Sequence, residues 1–204
     1  MRKIHFLILA CLVAGLCSCA KEIVLFNGEN LDGWVAVLKE SEEEPAPEQP
    51  TFSVQDGLLH VTGTPYGYLR TEKAYSDFIL IMEWRWTEGR ADSGIFTLLQ
   101  GEDKVWPTGV QLQMRESDFG YFFSGHPLKG VEGFRKPALV EEDPEKPDGE
   151  WNTAMIISKG GRLSALVNNV LVNEAECDVK EGYIGIQSEG GAMDFRNIRL
   201  VVVK

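Results

Sequence analysis

The chain has 204 residues, 20 of them Lys or Arg and 31 Asp or Glu, giving a formal charge of −11 at pH 7. So acidic a surface repels phosphate backbones and anionic lipid headgroups, which excludes nucleic acid as a partner. The length supports one substantial hydrophobic core and favours a single domain.

Arg2 and Lys3 precede an apolar run from Ile4 to Leu16 that only His5 interrupts. A charged n-region followed by an apolar stretch of this length reads as a secretory signal peptide. It is too short for a comfortable transmembrane helix, which needs about 20 apolar residues. The run ends Leu16-Cys17-Ser18-Cys19, similar to a bacterial lipobox, and the small residue before Cys19 makes Cys19 the expected lipidation site. The alternative is an ordinary cleaved signal that happens to end in cysteines. The expected organisation is a signal peptide over 1–18, a lipid-anchored segment over 19–24 and a single β-sandwich domain over 25–204. Such a protein belongs in the cell envelope, in the periplasm or on the outer-membrane surface, and meets the membrane only through its N-terminal lipid. Loss of Arg2 and Lys3 leaves 18 basic residues against 31 acidic, a net charge near −13. Only Cys177 of the four cysteines lies in the folded body, so no intrachain disulfide is expected.

Beyond the signal, two polar, proline-rich stretches, Lys39 to Pro50 and Glu141 to Glu150, read as solvated surface loops. Period-2 alternation marks strands at Thr51–Val54, Leu58–Val61, Phe78–Trp86, Ile95–Leu99 and Val110–Met114. It continues at Asn152–Ser158, Arg162–Val167, Tyr183–Gln187 and Asp194–Val203. Asp56-Gly57, Gly160-Gly161 and Gly190-Gly191 supply turns between them. No segment of the body carries a 3.6-residue apolar stripe, so the class is all-β, a sandwich or barrel.

Alternation also sorts side chains by face. Phe78, Leu80, Met82, Trp84 and Trp86 point to a core, leaving Ile79, Ile81, Glu83 and Arg85 on the other side. Val110, Leu112 and Met114 are core-facing, with Gln111, Gln113 and Arg115 opposite. The expectation is that both strands offer their polar rows on one wet sheet face. Carboxylate, guanidinium and carboxamide groups there suit vicinal sugar hydroxyls. A simple solvent-facing sheet is the plainer explanation of the same pattern.

Several motifs resemble the DUF1080 family, also called the 3-keto-disaccharide hydrolase domain, common among Bacteroidota envelope proteins. They run from Leu25-Phe26-Asn27-Gly28 and Leu31-Asp32-Gly33-Trp34 through Glu83-Trp84-Arg85 and Asp92-Ser93-Gly94-Ile95-Phe96. Gly149-Glu150-Trp151-Asn152, Val167-Asn168-Asn169, Gly185-Ile186-Gln187-Ser188-Glu189-Gly190 and Phe195-Arg196-Asn197-Ile198 complete the series. The resemblance implies a concanavalin A-like jelly roll of two antiparallel sheets and an activity on 3-keto-glycosides. A ketone at C3 of a sugar acidifies the hydrogen at C2; removing it yields an enolate that expels the glycosidic oxygen from C1, and added water completes a hydrolysis. This chemistry needs a base, a cation or donor for the enolate, and an acid for the leaving group.

Carried onto this chain, the resemblance offers Glu83 as a base or metal ligand, Arg85 as an enolate clamp and Glu189 as a second acid–base group. Gln111, Gln113, Arg115, His126 and Trp151 are the expected substrate contacts, although His126 also reads as a plain loop residue and Trp151 as core. Asn152 and Asn168 read as turn caps. Many relatives carry glutamate where this chain has Gln111; glutamine holds a hydroxyl but takes no proton at neutral pH, and Glu116 is the nearby substitute. No cofactor is certain. Calcium would suit the oxygens of Asp92-Ser93 and Glu141-Glu142-Asp143, but their spacing is not diagnostic, so no metal ligand is assigned. Three readings follow: an enzyme on 3-keto-glycosides, a non-catalytic lectin-like lipoprotein, or a structural envelope protein.

Overall fold

Strand β7 (Phe78–Trp86) sets the architecture, because its nine residues alternate without a break between fully buried and half-buried. A strand of that pattern belongs at the centre of a sheet with one face in a core. In the computed structural model, which describes residues 21–40 and 49–202, it does. The back sheet runs β14 (Val170–Glu176), β13 (Arg162–Val167), β12 (Asn152–Lys159), β7, β16 (Met193–Val202), β4 (Leu58–Val61) and β3 (Phe52–Gln55). Strand β1 (Lys21–Val24) extends it by pairing with the far half of β16. The front sheet runs β11 (Arg135–Lys136), β10 (Phe122–Ser124), β9 (Thr108–Gln113), β8 (Gly94–Gln100), β15 (Glu181–Ser188), β5 (Gly67–Thr71) and β2 (Trp34–Leu38), with β6 (Tyr75–Ser76) on β15. Every pairing within these sheets is antiparallel. Among the described residues the one helical element is a 3₁₀ turn at Glu116–Asp118. The all-β sandwich expected from the sequence is therefore the fold.

Three hairpins close through two-residue turns whose positive φ angles match the twist of the flanking strands. Asp56-Gly57 joins β3 to β4, Gly160-Gly161 joins β12 to β13 and Asn168-Asn169 joins β13 to β14. Gly190-Gly191 instead carries the chain from the front sheet to the back one. The inner faces meet in one core in which Phe78, Leu80, Met82, Trp84 and Trp86 face Ile95, Val110, Leu112, Ile184 and Ile186. Each large side chain so buried contributes about 1.5–3 kcal/mol, which lets the fold stand without a disulfide. Cys177 is free and buried.

Three expectations need correction. Residues 21–24, read as part of a tether, form β1 and belong to the sandwich. The stretch 141–150 is a loop, but Glu145 dives from it into the protein, its side chain showing no exposure. Most consequentially, β7 and β9 lie in different sheets, so the Glu83/Arg85 row and the Gln111/Gln113 row cover opposite outer faces. Alternation tells which way a side chain points from its own strand, whereas sheet membership depends on long-range pairing. The signal peptide, Cys19, Val203 and residues 41–48 of the first polar stretch lie outside the described residues.

Candidate active site

On the front sheet, Gln111 and Gln113 of β9 and Gln187 of β15 point outward, and β8 lies between the two strands. Gly94 on β8 is the reason they meet. A Cβ there would stand 2.3 Å from Gln111 Nε2, so only glycine lets that carboxamide lie across the strand. Gln111 Nε2 then donates to Gln187 Oε1 (2.8 Å) and to Gln113 Oε1 (3.3 Å). Gln187 Nε2 donates in turn to Glu189 Oε2 at 2.6 Å. A row of carboxamides thus ends on one carboxylate.

Glu189 shares its end of the sheet with Asp92, which forms a β-bridge to residues 189 and 190. Arg115 leaves β9 beside them. Its guanidinium grips Asp118 through Nε–Oδ1 (2.9 Å) and Nη2–Oδ2 (2.6 Å), and its Nη1 stands 3.2 Å from Asp92 Oδ2. Asp92 Oδ1 is buried without a hydrogen bond to any of the described residues.

The electrostatics follow from this crowding. Burial, then the neighbouring Asp92 charge, push the Glu189 carboxyl up to about 7, with Arg115 opposing. Burial also raises Asp92, against the pull of Arg115. For Asp118, burial is outweighed by the hydrogen bonds and charge of Arg115, which hold it below the usual carboxylate range. Two carboxyls with raised pKa beside a guanidinium can hold a proton, release it near neutrality and stabilise a developing oxyanion. An open cleft lined by Arg90, Glu116, Glu145, Pro147 and Asp148 adjoins this cluster through the sequence neighbours Arg90/Asp92 and Arg115/Glu116.

Among the residues expected at a site, the structure brings Glu189, Gln111, Gln113 and Arg115 together and sets the others apart. Glu83 and Arg85 are engaged on the outer face of the back sheet. Arg196 Nε donates to Glu83 Oε2 at 2.6 Å, and Arg85 Nε and Nη2 donate to Asp194 Oδ2 at 2.9 and 2.7 Å. Each pair faces directly across β7 and β16, and His60 Nδ1 from β4 lies against Asp194 Oδ1. Trp151 is not in the core; its ring lies under Arg196 (3.9 Å) and Arg85 (4.8 Å) on that same back face. His126 sits at the opposite end of β9, with Nε2 3.0 Å from Leu98 O. Glu116 follows the end of the strand and is exposed at the rim of the cleft.

The sequence alone gives Asp118, Gln187 and Glu145 no site role and offers Asp92 only as an oxygen suited to calcium. Gln187 was within reach, because alternation through Gln187-Ser188-Glu189 puts both polar residues on one face. Glu145 had an indirect signal: Trp84 and Trp86 are core residues whose indole N–H groups need acceptors. Glu145 Oε1 accepts from both, at 2.9 and 2.6 Å, while Oε2 has Arg90 Nη2 at 3.2 Å. Asn152 and Asn168 hold that loop in place. Asn152 Oδ1 accepts from Lys146 N (2.8 Å), and Asn168 Nδ2 donates to Pro144 O (2.9 Å) and to Asn152 Oδ1 (2.8 Å).

Residues 21–201 match the family model described as the 3-keto-alpha-glucoside-1,2-lyase-like domain. A protein of Bacteroides thetaiotaomicron named 3-keto-disaccharide hydrolase is 25% identical over 239 residues, covering 89% of this chain and 78% of the relative. Among solved structures, a candidate glycosyl hydrolase from Parabacteroides distasonis superimposes with a TM-score of 0.65 at 19% identity, covering 90% of this chain and 94% of that one. A Bacillus licheniformis β-glucanase gives a TM-score of 0.61 at 13% identity over 92% and 100% of the two chains. Both structural likenesses speak for the jelly-roll fold.

Proposed function

Because the chain belongs to the 3-keto-α-glucoside-1,2-lyase-like family, we propose that the Asp92–Arg115–Glu189 cluster is an active site that opens 3-keto-glycosides by elimination. The observation that carries this reading is Glu189, a carboxyl held at about 7 by burial and by Asp92, with Arg115 in the same cluster.

In this mechanism Glu189, in the ionised form it reaches near neutrality, removes the proton from C2 and holds it. The C2–H electrons form the C2–C3 double bond and the ketone oxygen becomes an enolate, which Arg115 stabilises by charge and hydrogen bonding. Return of the oxygen electrons rebuilds the carbonyl, shifts the double bond to C1–C2 and breaks the bond from C1 to the glycosidic oxygen. The leaving oxygen takes the proton that Glu189 now holds. Water then adds at C1, so that the sum is hydrolysis without any change of oxidation state. The two carboxyls titrate as a unit, and the pH–rate profile reports the pair. The half-buried carboxamide of Gln111, fixed by the buried Gln113 and Gln187, orients a sugar hydroxyl, so Gln111 has a holding role while the proton work falls to Glu189.

The test is turnover of 3-keto-trehalose and simple 3-keto-glucosides, with chelator and added-metal arms. Glu189→Gln is expected to lower kcat at least 100-fold with its melting temperature preserved, in line with the usual scale of acid–base catalysis. Undiminished release by Glu189→Gln refutes the site. Glycan binding without release from any keto-glycoside favours the lectin-like reading, for which the carboxamide row is the supporting feature. On this reading the enzyme is held at the cell envelope by a lipid on Cys19; Cys19→Ser is expected to move it from the membrane to the soluble fraction, and unchanged membrane retention counts against the anchor.

A further inference from the structure

Two large aromatic side chains stand out of the surface together: Trp106 is 55% exposed and Tyr66 41%, with ring centroids 6.4 Å apart at 58°. Single exposed aromatics need no explanation, but this pair is held in position from both sides. Trp106 lies on the loop of residues 101–107 between β8 and β9. That loop is fastened across the outer face of the front sheet by Asp103, which takes Arg70 Nε and Nη2 at 2.7 Å each and the Tyr68 hydroxyl at 3.2 Å. Tyr68 beneath it is buried against Phe96 and Leu99, with Val37 and Tyr183 packed around them. The loop therefore covers the β2–β5 side of the face; of the carboxamide row, Gln111 is half-buried and Gln113 and Gln187 are buried.

Tyr66 is fixed by its backbone to the strand that carries Glu189. Gly67 pairs with Ser188, so Tyr66 stands one step beyond that pair, on the Glu189 side. Ser188 Oγ donates to Pro65 O (3.1 Å), Gly190 N donates to Gly63 O (2.7 Å), and Lys39 N donates to Tyr66 O (2.7 Å). The exposed rings thus rise beside the half-buried Glu189, which the buried Gln187 carboxamide holds from below. Binding sites that combine an aromatic wall with a few oriented polar groups are built for ligands apolar on one face and hydrogen-bonding at the edge. A pyranose ring is such a ligand, with axial C–H groups on its face and equatorial hydroxyls around its rim.

We propose that Tyr66 and Trp106 form the stacking wall of a second sugar subsite, which takes the ring attached through the scissile oxygen to the one held at Glu189. This rests on the active-site reading and adds to it a leaving-group preference, the wall selecting a pyranose over a small alcohol.

The experiment compares wild type, Trp106→Ala and Trp106→Phe on a 3-keto-disaccharide and on methyl 3-keto-glucoside, and measures binding of the unoxidised disaccharide by calorimetry. Trp106→Ala is expected to raise KM for the disaccharide roughly tenfold, a loss of about 1.4 kcal/mol, with kcat within twofold and the methyl glycoside unaffected. Trp106→Phe restores most of the loss, since a ring face remains. Equal effects on both substrates, or none on either, overturn the subsite. If no substrate turns over, the calorimetric arm decides alone. Disaccharide binding that weakens in Trp106→Ala then keeps the subsite while the catalytic reading falls, and binding indifferent to Trp106 overturns the subsite.

Discussion

Glu145 offers a prediction whose size can be worked from the structure. Its side chain has no exposure, and burial raises its carboxyl from the ordinary 4.5 to about 7 despite the indole N–H groups of Trp84 and Trp86 and the charge of Arg90. Below pH 4.5 the folded and unfolded chains both hold this proton, and stability carries no penalty from it. Between 4.5 and 7 the unfolded chain has released the proton while the folded chain retains it, so raising the pH favours unfolding. Above 7 the penalty is complete, at about 3 kcal/mol from the 1.36 kcal/mol carried by each step of pKa. Glutamine at this position cannot titrate, yet its carboxamide oxygen still accepts from both indoles. The stability of Glu145→Gln minus that of wild type should therefore be flat below pH 4.5, climb by about 3 kcal/mol to pH 7, and level off. For a domain of this size that is roughly 6–12 °C in Tm.

Urea denaturation followed by tryptophan fluorescence at intervals from pH 4 to 8 measures the difference curve directly. Subtraction matters, because Glu189 titrates in the same window and cancels only between proteins that share it. Glu145→Ala provides the internal control: it has the same pH slope, offset downward by about 2–6 kcal/mol because two buried indole donors lose their acceptor. A difference curve for Glu145→Gln that is level or descends from pH 4 to 8 refutes the reasoning, since it means the carboxyl is ionised inside the fold without penalty.

Two other substitutions separate the faces of the sandwich. Gly94→Ala places a methyl 2.3 Å from Gln111 Nε2 and should swing that carboxamide away from Gln187, destabilising by about 1 kcal/mol and raising KM several-fold. In a Gln111→Ala background the same change should cost almost nothing, and an additive double-mutant cycle in Tm rules out this account of Gly94. Glu83→Gln breaks a partly exposed cross-strand pair with Arg196, so stability should fall by about 0–1 kcal/mol while turnover stays within twofold. A 100-fold loss of turnover in Glu83→Gln with an intact fold moves the active site to the back sheet.

The sandwich was legible because its central strands are long and strictly alternating, and because turns such as Asp56-Gly57 and Gly160-Gly161 carry the residues that hairpins demand. The strands that escaped notice are short, lie toward the edges or mix polarity. Among the described residues Val170–Glu176 pairs only with β13, through a bulge, and five of its seven residues are at least partly exposed in no alternating order, so no clean period survives. Arg135–Lys136 and Tyr75–Ser76 are two-residue strands that exist only because a neighbour lies alongside.

The site was legible in parts for the same reason. Each residue's direction relative to its own strand could be read locally, and Gln111, Gln113 and Arg115 point outward as alternation requires. Which outward faces coincide is decided by pairing between strands dozens of residues apart, and no local pattern contains it. Glu83-Trp84-Arg85 shows the consequence. Its charged residues invite a catalytic reading, yet across β16 they meet Arg196 and Asp194 at matched register, where opposite charges on facing strands are an ordinary stabilising arrangement. The central Trp84 points the other way, to Glu145, together with Trp86. The motif thus ties β7 to β16 on one side and to the 141–150 loop on the other. Glu189 differs in that, among the described residues, no cation pairs with it directly: it accepts from the Gln187 carboxamide, and burial and the charge of Asp92, against the pull of Arg115, keep its proton within reach of neutrality. The physical distinction between a structural and a chemically available carboxylate therefore lies in what is already bound to it, and that becomes visible only when both sheets are in place.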